Sequence, residues 1–168
     1  MRVSKNSLSP TIQMRSSGFT LIELMVTIAV LAIIVSIAAP NISTQLANQR
    51  VKATANTLAN ALKEAKVESI LRRQNVTVVY TSTSTPQTIK LQVGGDDIST
   101  YNLNARSTVT QTITPSTVSS IVFQPNKKIA NNATVIYTIC DSGSTNETPK
   151  QVSLTSIANI NTTNAGSC

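Results

Sequence analysis

The sequence has no histidine and no tryptophan, only two cysteines among its 168 residues, and 3% aromatics. Without histidine there is no Ser–His–Asp triad, no Cys–His dyad and no His-ligated zinc or haem. Two cysteines are too few for a four-cysteine zinc site. Five glycines, none in a phosphate-loop pattern, leave no cradle for a nucleotide. Ser–Lys or paired-carboxylate chemistry needs only residues that are present, but no motif marks it. The inventory therefore points away from an enzyme, a bound metal or a cofactor. Acids are scarce as well: 7 Asp+Glu stand against 14 Lys+Arg, a formal charge of +7, and only 12% of residues are charged. That balance leaves nucleic acid, anionic lipid or an acidic protein open as partners.

What is present is sharply segmented. Residues 1–18 carry Arg2, Lys5 and Arg15 and no acid, so three of the seven net charges sit there. Residues 19–39 (FTLIELMVTIAVLAIIVSIAA) hold one charge, Glu23. As a helix this run spans about 30 Å, the hydrocarbon thickness of a bilayer. Behind a basic, acid-free flank it reads as a transmembrane helix whose basic end stays in the cytoplasm. Pro40 follows, and a proline within a helix removes a donor and clashes one turn back, so a kink is expected there. Residues 40–74 regain a helical period. Val51, Ala55, Leu58, Leu62 and Ala65 step by four and three and form one narrow apolar stripe suited to close packing. Arg50, Lys52, Lys63, Lys66, Arg72 and Arg73 make this half-helix basic, against Glu64 and Glu68.

From residue 75 to 168 the chain is rich in Thr, Ser and Asn. Short β-prone runs are expected at 76–80, 88–93, 118–123, 133–140 and 151–157, separated by turn formers such as Gly94-Gly95-Asp96-Asp97. Ser107–Ser120 reads as a loop or an irregular edge strand. The fold class is thus α+β, a long N-terminal helix packed on a small antiparallel β-rich head. Cys140 and Cys168 are expected to form a disulfide, the simplest state of a lone pair in an exported chain. It would staple a tail, Ile160–Ser167, that otherwise frays.

The most specific feature lies where the leader meets the apolar run: Gly18-Phe19-Thr20-Leu21-Ile22-Glu23-Leu24. A secretory signal places its small-residue cleavage site after the apolar stretch, whereas Gly18 precedes it. A cut between Gly18 and Phe19 would free a new N-terminal amine one helical turn from Glu23. A carboxylate is costly in hydrocarbon, by about 2.5–3.5 kcal/mol at mid-membrane. The helix N-terminus lowers that cost, and pairing with a neighbouring copy's amine would lower it further. Snorkelling to the head groups is the alternative.

This stretch closely resembles the N-terminus of type IV prepilins and type II secretion pseudopilins. Gly18 to Leu24 match the family pattern position by position, and the likeness extends over residues 14 to about 74. Met14, followed by Arg-Ser-Ser-Gly, offers a second start. The resemblance implies cleavage after Gly18 by a prepilin peptidase, N-methylation of Phe19, assembly through Glu23, and a long helix carrying a β-rich head. Residence would be in the bacterial inner membrane, single-pass with the head in the periplasm, and then in the filament or its tip. Within the family the chain looks most like FimT/FimU minor pilins and the GspH-like pseudopilin H.

The expected function is a minor pilin that primes or caps a type IV pilus by packing with other minor and major pilins. A pseudopilin H-like subunit of type II secretion is one alternative. A DNA-binding minor pilin for transformation, contacting phosphates through the half-helix cations, is another. Against DNA, the head beyond Gln74 has five basic and four acidic residues, and residues 153–168 contain no Lys or Arg. The basic Gly-Arg-x-Arg element of the family's DNA binders is therefore missing there. An ordinary secreted domain cut after Ser36-Ile37-Ala38 is disfavoured by Glu23 inside the apolar run and by Pro40 just past the cut.

Overall fold

The structure, a computed structural model, describes residues 18–168 and, within them, every side chain except those of residues 38–41. The basic leader falls outside what is described, and at the expected kink the helix assignment runs on through Pro40. The chain divides into two compact units, residues 1–38 and 39–168. Helix α1, Leu21–Arg72, contributes to both.

In the first unit no described residue covers the helix. Phe19 is 82% exposed, and each large apolar residue from Leu21 to Ile37 is exposed by half or more. Its two polar residues beyond the first turn satisfy themselves. The Thr27 hydroxyl donates to the Leu24 carbonyl at 2.8 Å and the Ser36 hydroxyl to the Ile33 carbonyl at 2.7 Å. Such bonds let hydroxyls sit in an apolar medium without an orphan donor. No single helix among the described residues is long and apolar enough by itself to cross a membrane. Leu21–Ile37 taken together with Ile42–Arg72 meets the length and composition of a span.

The second unit is built around the rest of α1. Val51, Ala55, Leu58, Leu62 and Ala65 are all buried, as their spacing predicts, and Ala47, Ala59 and Ala61 widen the stripe. The small alanines let the sheets approach the helix closely. The chain ends the helix at Arg73, which takes a left-handed conformation (φ 53°).

Eight strands follow: β1 (Val76–Thr81), β2 (Thr88–Val93), β3 (Asp96–Asn102), β4 (Ser107–Thr114), β5 (Ile121–Phe123), β6 (Thr134–Asp141), β7 (Lys150–Leu154) and β8 (Ile160–Asn164). They form two antiparallel four-stranded sheets, in the orders β3-β2-β1-β5 and β4-β6-β7-β8. Alternate residues face the core: Val76 and Val78, Ile89 and Leu91, Ile121 and Phe123 from the first sheet; Val135, Tyr137 and Ile139, Val152 and Leu154 from the second. The sheets are joined edge to face by Tyr80 and Tyr137, whose ring centroids lie 6.0 Å apart.

Three strands differ from the sequence expectation. Asp96 and Asp97 open β3 instead of completing a turn. Gly94 and Gly95, both with positive φ, form the whole two-residue hairpin. Ser107–Thr114 is a full eight-residue edge strand, and only the residues after it are loop. The tail expected to hang on the disulfide pairs along five residues with β7 as β8.

Candidate functional site

The N-terminal motif is organised by Thr20. Gly18, Phe19 and Thr20 are not helical, and the helix starts at Leu21. Thr20 is its cap. The Thr20 Oγ1 accepts the Glu23 N–H at 3.2 Å, and the Thr20 carbonyl accepts the Leu24 N–H at 3.2 Å. Thr followed three residues later by Glu is the capping-box pattern, and it was legible in the sequence. The cap stops helical order just short of the Gly18–Phe19 bond, so that bond lies in open chain. A Cβ built on Gly18 would meet nothing within 4 Å, and its φ is not left-handed. This chain's own fold therefore makes no demand for glycine there. Any demand comes from whatever handles the bond. Glu23 sits in the first turn, exposed, where the helix dipole favours an anion.

The six half-helix cations have different occupations. Arg50 reaches Asp141 in a forked pair, with Nε to Oδ2 at 2.7 Å and a second guanidinium nitrogen to Oδ1 at 3.1 Å. The Asp141 side chain is fully buried and that of Arg50 is 22% exposed. The Arg50 bonds hold the Asp141 carboxyl below its ordinary value against the opposing effect of burial, helped by the Gly143 N–H, which donates to Oδ1 at 3.0 Å. Lys66 Nζ donates to the Ala158 carbonyl at 2.9 Å, and Arg72 pairs with Glu68 one turn earlier. Lys52, Lys63 and Arg73 are exposed and make no ion pair among the described residues. Two of the six nominated for phosphate contact, Arg50 and Lys66, thus tie the helix to the β-rich body, and Arg72 is paired on the helix surface.

The helix acids are tethered too. Glu64 accepts the Ser99 and Tyr101 hydroxyls of β3, and its bond pushes the Tyr101 phenol up to about 12. Asn48 Oδ1 accepts the Thr148 N–H at 2.7 Å. Cys140 and Cys168 are joined, with Cα atoms 5.9 Å apart. Among the described residues no cluster of three His, Cys, Asp or Glu is placed to hold a metal. The clefts of the second unit have mixed polar and apolar linings. The one at the end of β6 is a cavity of about 350 Å³ bordered by Ser144, Thr145, Glu147 and the C-terminal residues.

Comparison with known proteins follows the same division. Residues 13–39 match the prokaryotic N-terminal methylation motif, which fits a pilin with a hydrophobic N-terminal helix anchored in a membrane. Residues 54–157 match the family described as type II transport protein GspH. The fold is similar to the crystal structure of the type IV minor pilin FimU of Pseudomonas aeruginosa. The TM-score is 0.57 at 16% identity, over 71% of this chain and 96% of that one. It is similar also to the minor pseudopilin EpsH of the type 2 secretion system of Vibrio cholerae. Here the TM-score is 0.54 at 12% identity, over 70% and 98% of the two chains. No curated protein sequence matches the chain. Pilins and pseudopilins are structural subunits, and their families assemble with other pilins. The apolar helix, the capped Gly-Phe-Thr-Leu-Ile-Glu start and the two-sheet body all agree with what residues 54–157 indicate: the chain belongs to the GspH family of minor pilins and pseudopilins.

Proposed function

We propose that the protein is a minor subunit of a type IV pilus that primes or caps assembly by packing with other minor and major pilins. The observation that carries this reading is the start of α1. A cap at Thr20 leaves the Gly18–Phe19 bond in open chain, and beyond it runs an uncovered apolar helix whose one charged group is Glu23. Residues 1–18 would be the leader removed by a prepilin peptidase, and Phe19 would become the N-methylated first residue. Residues 19–39 would anchor the chain, single-pass, in inner-membrane lipid until assembly, with the body exported. In the filament, Glu23 would pair with the amine of an adjoining subunit. The match to a type II transport family favours a second reading, the corresponding subunit of a secretion pseudopilus, mechanically the same but working within a piston. DNA is left out of the proposal, because Arg50 and Lys66 are engaged within the fold and residues 153–168 carry no Lys or Arg.

Mass spectrometry of the mature N-terminus tests the proposal. A methylated Phe19 is expected, and a chain beginning at Ala39 would refute it. Co-purification from cells lacking one or other apparatus separates pilus from secretion system.

A further inference from the structure

Two four-stranded sheets have four edges, and edges invite pairing unless something blocks them. Three are shortened or partly obstructed here. The β3 edge begins with two charges, Asp96 and Asp97, and its register shifts opposite Leu91 and Gln92. The β5 edge is three residues long. On β4, both backbone groups of Val109 are occupied, by Tyr80 of β1 and by Gln87 just before β2. The Tyr80 hydroxyl donates to its carbonyl at 2.6 Å, and the Gln87 side-chain oxygen accepts its N–H at 3.0 Å. The fourth edge is β8, Ile160–Asn164, which has no charge, no proline and an unbroken five-pair register with β7. Asn161 to Asn164 are exposed.

The direction of its free groups follows from the ladder. The Thr155 N–H donates to the Asn159 carbonyl at 3.0 Å, and the Ala165 N–H donates to the Pro149 carbonyl at 2.9 Å. Hydrogen-bonded pairs alternate along an antiparallel ladder, so Asn161 and Thr163 turn their backbone groups toward β7. Ile160, Thr162 and Asn164 turn theirs outward.

We propose that the outer edge of β8 is a docking site for an extended segment of a different filament subunit, added as a fifth strand through main-chain hydrogen bonds. This rests on the filament reading above. The side chains flanking the edge are short hydroxyls and amides, so the incoming strand is recognised by its backbone and by polar groups and needs no apolar row. A second copy pairing β8 against β8 is disfavoured because that antiparallel contact has a two-fold axis and closes. A filament grows by head-to-tail contacts.

Residue-resolved hydrogen exchange on the full mature chain, alone in detergent and in the assembly recovered with its co-purifying subunits, tests the edge. The Thr162 and Asn164 amides are expected to slow at least about tenfold in the assembly, while Asn161 and Thr163 are slow in both states. Thr162→Pro removes one outward donor and leaves the β7 ladder intact, so recovery with partner subunits is expected to fall at least about tenfold. Thr162→Val, which keeps the donor, is expected to recover normally. If Thr162→Pro melts early, the exchange measurement on the unaltered chain decides. Free-state exchange at Thr162 and Asn164 in an assembly that contains the chain overturns the edge proposal alone. Failure to recover any other subunit overturns the filament reading and this proposal with it. Protection that grows with the concentration of the purified chain by itself overturns the commitment to a different subunit.

Discussion

Replacing both Cys140 and Cys168 by serine separates two ways in which the end of the chain can be held. The bond closes a loop with a sequence separation of 28. In the chain-entropy account a loop of that size raises the unfolded state by about 3.6 kcal/mol. For a body of this size, residues 39–168, that corresponds to a melting temperature lower by about 10–15 °C. The folded state is another matter. Ile160–Asn164 pairs with β7 along five residues, and Lys150 Nζ donates to the Asn164 side chain at 2.6 Å. The tail therefore has a hold of its own. Well below the melting point, the Asn161 and Thr163 amides should stay protected in the serine variant. The assay is a thermal melt followed by far-UV circular dichroism, with hydrogen exchange at 25 °C on the same samples. Two results would refute the reasoning. Selective loss of protection in β8 while β6 and β7 keep theirs would mean that the staple, not the ladder, holds the strand. An unchanged melting temperature would mean that the unfolded chain gains nothing from losing the loop.

Gly18→Leu should leave the leader attached, seen as an unprocessed band and an intact mass; normal processing would move the cleavage site elsewhere. Glu23→Val should insert in the membrane at least as well, since a carboxylate's burial cost, smaller in the first turn than the mid-membrane value, is removed, yet be depleted from filaments; normal amounts in sheared filaments would end the pairing idea. Because the Asp141 carboxyl is held below its ordinary value of 3.8, its pair with Arg50 contributes fully above that pH. The contribution is lost as acid titrates the carboxyl through its lowered value. Melting temperature should thus fall below about pH 4 in the native chain, with a weaker slope in Asp141→Asn. Leu62→Ala, at a fully buried position between helix and sheets, should cost about 2–5 kcal/mol in denaturant unfolding; a loss under 1 kcal/mol would mean that the stripe is not core.

The features legible in the sequence were those with a local period or an unusual composition. Val51 to Ala65 announced a buried stripe because a helix repeats its face every three to four residues. Thr88–Val93 announced a strand because its apolar residues alternate. β8 gave no such signal: INTTN has one apolar residue, and its strand state is imposed by β7. β3 was hidden by its two leading aspartates, which resemble turn residues until the glycines are seen to make the turn unaided. The occupations of Arg50 and Lys66 depend on Asp141 and on the Ala158 carbonyl, 91 and 92 positions away. No short window holds both partners. Thr20 is legible too, because Thr with Glu three residues on is a local capping pattern that needs no distant partner.

The bonds that fasten the base of the half-helix have a consequence for timing. Arg50 waits for Asp141, and Asn48 for Thr148, partners 91 and 100 residues downstream. At a synthesis rate of about 5–20 residues per second, the Arg50 guanidinium is exposed for roughly 5–20 s before its carboxylate exists. During that interval the apolar stripe also lacks β6 and β7, which bring Tyr137, Ile139, Val152 and Leu154. The helix thus leaves the ribosome first and is completed last. A half-made chain therefore carries a bare amphipathic surface until its final quarter arrives.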